Sequence, residues 1–202
     1  MNNLRKMTQS TQTPQEQLQK KYSSAVSNLL VVILFTVVNI VLLFTKSYTY
    51  FLFSAYIPYS LTDLGMYLCG KYPQEVYGAD YADMVFFNDS FLITTIVVAA
   101  VILVLYLLSW IFARKGKIGW LIFALVFFSV DFLALIVLNG ISLDMLIDLA
   151  FHVWVIVILS GGIKAYYKLK TLPAEDGLKV DGGLNDEDTS NSENIVPTET
   201  ID

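Results

Sequence analysis

From Phe91 to Phe112 the chain runs for twenty-two residues without a charged side chain, and three further stretches come close to the same description. A hydrocarbon core about 30 Å thick is crossed by roughly 20 helical residues at about 1.5 Å each, so a run of this length has the dimensions of a membrane span. Its many Val and Ile residues would favour strands in water. In lipid a lone strand leaves its backbone groups unpaired, whereas a helix satisfies them internally.

The companion stretches run over residues 23–45, 118–139 and 145–166. The first of these is also uncharged, the second contains Asp131, and the last contains Asp148 and His152. A cleaved leader would have an apolar stretch of about 7–15 residues followed by small residues. The first run is longer and ends in Phe44-Thr45-Lys46, so it is expected to stay as an anchor. With 15% charged residues overall, against about a quarter in a soluble domain, the chain is predicted to be an all-α integral membrane protein. Its four transmembrane helices would form an up-down bundle, with a partly helical extracytoplasmic loop between helices 1 and 2.

Lysine and arginine near span ends orient such a bundle. Arg5, Lys6, Lys20 and Lys21 precede the first span, Arg114, Lys115 and Lys117 join the second to the third, and Lys164, Lys168 and Lys170 end the fourth. All three groups fall on one side of a four-span chain. The opposite side has Lys46 and Lys71 against Asp63, Glu75, Asp80, Asp83 and Asp89. Both termini are therefore expected in the cytoplasm of a cell-membrane protein. Trp110, Trp120, Tyr166 and Tyr167 would mark the inner boundary, and Tyr48, Tyr50, Tyr56 and Tyr59 the outer one.

The organisation that follows is a cytoplasmic arm at 1–22, the first span at 23–45 and an extracytoplasmic aromatic and acidic loop at 46–90. The second span at 91–112, a basic link at 113–117, the third span at 118–139 and an outer turn at 140–144 come next. The fourth span at 145–166 leads into a cytoplasmic, acidic and disordered tail at 167–202. Within the arm, helix is expected near Gln15 to Tyr22. The tail from Pro173 carries nine acidic residues and one lysine, with no aromatic residue, a composition that cannot offset ordering entropy.

The loop is the least regular region. Ser47 to Thr62 is uncharged and aromatic but contains Pro58, and it is too short for a fifth span, so an interfacial or partly re-entrant segment is expected. Ser60-Leu-Thr-Asp63 resembles a capping box opening a short helix. The acidic residues lack the spacing of a calcium loop. Cys69 is the single cysteine, which rules out an intramolecular disulfide and leaves a free thiol as the expectation.

Ionisable groups inside lipid cost about 2.5–3.5 kcal/mol or more at mid-membrane and need partners. Asp131 lies about ten residues before the turn at 140–142 and His152 about eleven after it, so the two should share a depth. Asp148 stacks one helical turn from His152, with Asp144 continuing the column. Asn39, Thr94 and Thr95 add polar groups in the outer half. Asp131, Asp148, His152 and Asn39 are the candidate ion or proton site, and Asp131, Asp148 and His152 the candidate metal ligands. Together they suggest a polar pocket open to the outside.

Three functions are compatible with that pocket. One is a structural, regulatory or accessory membrane component with a buried Asp-His-Asp cluster. The others are a small proton- or ion-coupled transporter or channel component and a metal-dependent intramembrane enzyme. HExxH, Gly-x-Ser-x-Gly and phosphate-loop patterns are absent from the sequence, so enzymatic readings lack a motif and no cofactor is expected. The basic residues flank spans instead of forming a nucleic-acid footprint. The partners expected are the lipid bilayer and other membrane subunits.

Overall fold

The computed structural model describes residues 13–47, 50–51 and 53–172, apart from the side chains of Asp80 and Asp144. The first twelve residues of the arm, the acidic tail from Pro173 and the place of the Asp144 carboxylate in the proposed column lie outside the described residues. Among the described residues every regular element is helical.

Helix α1 (Pro14–Phe44) begins nine residues before the first apolar run. Thr13 and Glu16 exchange side-chain-to-backbone hydrogen bonds as a capping box, and Pro14 fills the first turn, a position that needs no donor. The arm is thus helical where helix was expected. At its other end Lys46 turns left-handed (φ 57°). The amides of Lys46 and Ser47 donate back to the Leu43 and Leu42 carbonyls, a Schellman ending usually made with glycine.

Next come α2 (Tyr56–Leu68), the single turn α3 (Gln74–Tyr77) and a 3₁₀ segment (Gly78–Asp83). Three long helices follow: α4 (Asp89–Arg114), α5 (Ile118–Asn139) and α6 (Leu146–Thr171), the last preceded by a 3₁₀ turn at Leu143–Met145. The helices α1, α4, α5 and α6 are long and apolar enough to cross a membrane. Their outward faces bear Leu34, Val41, Val101, Val126, Leu133 and Val157, all exposed. Apolar surface this continuous is foreign to soluble monomers.

The core runs between α1, α4, α5 and α6, where Leu29, Val32, Tyr106, Leu121, Phe128 and Leu159 are fully buried. The two ends of the assembly differ. At the end carrying Lys20, Arg114, Lys117 and Lys164, the Tyr22 hydroxyl donates to the Ala113 carbonyl and its ring packs on Tyr166. Gly162 of α6 lies so close to Ala25 of α1 that a Cβ on it would collide with the alanine side chain. Small residues permit such close helix approach.

At the opposite end α2 packs against α4, α1 and α5. Gly65 allows the approach to α4, because a Cβ there would strike the Thr95 side chain. The start of α2 differs from expectation. The helix opens at Tyr56, four residues before the Ser60–Asp63 pattern. Its cap residue, Ala55, offers no side-chain acceptor. The Ser60 hydroxyl bonds back to the Ile57 carbonyl and Asp63 accepts from the Tyr72 hydroxyl. The capping-box pattern lies inside the helix because its true cap comes from elsewhere in the chain.

Candidate functional site

The first amides of an α-helix have no partner within the helix. In α2 they point at Asp131 of α5: the Tyr56 amide donates to Oδ2 and the Ile57 amide to Oδ1, each at 2.8 Å. Pro58, the third helical residue, has no amide to satisfy. An aspartate 74 and 75 residues away in sequence therefore does the work of an N-cap. Its negative charge faces the positive end of the helix dipole, the favourable arrangement.

His152 of α6 closes the site from the other side. Its Nε2 lies 3.3 Å from Asp131 Oδ2, and its Nδ1 lies 2.8 Å from the Asp148 carbonyl oxygen. A carbonyl only accepts, so Nδ1 carries a proton. The contact between Nε2 and the Asp131 carboxyl then holds a second proton, so the pair as a whole is neutral. The imidazole stacks on Phe128 and Phe132, which flank Asp131 on the same face of α5. Asp131 is 1% exposed and His152 2%, so the pair is sealed from solvent.

Two polar residues of α1 extend the site along the same segment. The Asn39 side chain accepts from the Phe51 amide at 2.8 Å and donates to the Phe51 carbonyl at 2.7 Å and the Ser54 hydroxyl at 2.9 Å. The Thr36 hydroxyl accepts from the Ala55 amide at 2.8 Å while donating to the Val32 carbonyl. Between these anchors Phe53 adopts a left-handed conformation (φ 58°), strained for a bulky residue, and its ring packs among Phe35, Phe151 and Trp154. The backbone donors at 51, 55, 56 and 57 are each received by a side chain from a long helix.

Rise along the helices puts this segment well inside the bundle. Asn39 and Thr36 lie about 9 and 14 Å from Thr45, Asp131 about 12 Å from Asn139, and His152 about 9 Å from Leu146. The sequence-predicted residues are therefore gathered, but around the chain's own backbone. Space expected to open outward is filled by Phe51 and residues 53–57, because the amides of Phe51, Ala55, Tyr56 and Ile57 need acceptors that an apolar bundle otherwise lacks.

The grouping is also more selective than the predicted column. Asp131 and His152 meet directly, whereas Asp148 contributes its carbonyl, and its buried Oδ1 has no hydrogen-bond partner. Asn39 joins the same segment without touching the pair. Thr94 bonds to its own helix at the Ser90 carbonyl. Among the described residues no group of three His, Cys, Asp or Glu side chains is placed to hold a metal ion. Thr36, Ser54 and the Tyr56–Ile57 amides escaped sequence reasoning. The only available signal was that Thr36 sits three residues before Asn39, on the same helical face.

Comparison with protein-family models, with curated proteins and with solved structures returns no match for this chain.

Proposed function

We propose that the chain is a four-span, multi-pass membrane protein of the cell membrane, an up-down bundle with both termini in the cytoplasm. In this reading it acts as a structural or accessory component whose working part is a re-entrant segment. Phe51 and residues 53–55 lie on a descent into the bundle from the outside, and α2 climbs back out. One observation carries the reading: the one buried acid–base pair among the described residues is engaged in holding the start of α2. Asp131 receives two backbone amides and His152 at once. A helix held at that depth by side chains from α1, α5 and α6 presents a fixed outer surface to other membrane subunits.

A proton- or ion-coupled function is the second reading, favoured by the unpartnered Oδ1 of Asp148 one turn from His152. Replacing Asp131 by Asn and His152 by Gln, singly and together, separates the two. The structural reading expects the double variant to recover much of the stability lost in each single one, with no pH-dependent flux in liposomes from any form. Stable variants that abolish a flux present in the unsubstituted protein would establish transport instead. For orientation, Val85→Cys places a thiol at a position 92% exposed. Cys69 is buried, with its thiol against the Asn88 carbonyl, so the unsubstituted chain serves as the blank. An impermeant maleimide should label Val85→Cys in intact cells; labelling only after permeabilisation would invert the topology.

A further inference from the structure

Gln17, Lys20, Lys21 and Ser24 follow one another at helical spacing on α1 and form one wall of a groove of about 510 Å³. Val157, Ile158, Gly161 and Gly162 of α6 form the other. Among the described residues no carboxylate lines it. Gly162 seats against Ala25 and closes the back, while a Cβ at Gly161 would meet nothing within 4 Å, so the groove is open at that point. Ser24 and Gly162 lie at about the same level, since Ala25 touches Gly162. The lysines are then beyond that level toward the helix ends, and Val157 and Ile158 toward the middle of the bundle. Polarity thus changes along the groove from cationic at the boundary to apolar in the depth, the profile of an amphiphile standing in one leaflet.

Several other cations at this end lie over aromatic rings. Arg114 lies over Trp110, Lys117 over Phe112 and Lys170 over Tyr166. Arg114 is also the only cation in the smaller groove on the other side of α1. Among the described residues, Lys20 and Lys21 take part in neither of the ion pairs, which are Lys71–Asp89 and His152–Asp131.

We propose that the α1–α6 groove binds one anionic phospholipid, its phosphate headgroup at Lys20 and Lys21 and an acyl chain along Val157, Ile158 and Gly161. The assignment rests on the membrane reading above, and on the cytoplasmic position of the lysines for the leaflet from which the lipid comes. Basic pockets between spans on the cytoplasmic side are suited to anionic headgroups.

The test is native mass spectrometry of the full-length protein, purified in detergent, delipidated and titrated with phosphatidylglycerol or phosphatidylcholine. One phosphatidylglycerol should be retained in preference to phosphatidylcholine. Each lysine near an anionic headgroup is worth about a fivefold change in affinity, so Lys20→Gln with Lys21→Gln should lower that preference about 25-fold. Gly161→Leu, which fills open space, should remove bound lipid of either kind while leaving the protein folded. Equal retention of both lipids, or an undiminished preference in the lysine double variant, overturns the site. So does competition by free glycerophosphate as effective as that by phosphatidylglycerol, since the chain would then contribute nothing. These results would leave the membrane reading standing; a protein recovered in the supernatant without detergent would overturn both.

Discussion

The two ends of the bundle are held together by different physics. At the basic end α1 and α6 close by shape, with Gly162 against Ala25 and apolar side chains around them. At the loop end, buried Thr36, Asn39, Asp131 and His152 hold a stretch of non-helical backbone. The reason for the difference lies in the backbone. Continuous helices satisfy their own amides and need only fit one another, whereas a segment that breaks helix inside an apolar bundle must be given acceptors. Polar residues are concentrated at one end because that is where irregular chain enters.

The greatest loss should follow from Asp131→Ala. It leaves two α2 amides and the His152 Nε2 without their acceptor, all in the interior. Breaking a buried charged pair by removing one partner costs about 3–5 kcal/mol, well above the average of about 0.6 kcal/mol for one hydrogen bond between membrane helices. Reversible unfolding in mixed micelles measures the difference. A loss near the single-bond value would mean that α2 is held by its packing on α4, and that the polar end works like the other end after all.

Gly162→Leu probes the opposite end and should cost less. Overpacking of a close contact is worth about 1–3 kcal/mol, because helices can separate by small shifts where a missing acceptor cannot be replaced. Ala25→Gly in the same chain should restore part of the loss by returning space at the contact. The same unfolding assay reads both forms. If the double variant is no more stable than Gly162→Leu alone, the Gly162–Ala25 contact does not set the spacing of α1 and α6.

How much of this could be read from the residues depended on whether the cause was local. Helix α5 covers the predicted stretch of 118–139 because length, lack of charge and the flanking Lys117 and Gly140 are all properties of the segment itself. The equal depth of Asp131 and His152 was also legible, since a short turn between two straight helices leaves only one register to count. By contrast, the start of α2 is decided by an acceptor far along the chain. The local Ser60–Asp63 pattern pointed to a start four residues too late, and nothing near Tyr56 announces a helix. The outward-opening polar pocket was inferred from side chains alone. Its occupant was invisible because backbone amides are the same in every sequence, and only the fold shows which of them go unpaired.

The smallest expected effect lies in the loop itself. The hydroxyl of Tyr72, just before α3, donates to Asp63 of α2. Burial, and then the Asp63 carboxylate, hold its phenol above the ordinary value of 10.0. A folded-state value raised in this way contributes stability that is fully present below about pH 10, where the tyrosine is neutral in both folded and released chain. That contribution is lost as the pH rises beyond 10, because the released phenol ionises first. Alkaline titration followed at the tyrosinate absorption band, subtracting Tyr72→Phe from the unsubstituted protein, isolates this group. The difference curve should begin above pH 10. Tyr72→Phe should also be slightly less stable at neutral pH, since Asp63 loses its donor. A difference curve centred at or below 10 would mean that the phenol is not tied to Asp63. The loop would then rest on the bundle only through the anchors between residues 51 and 57.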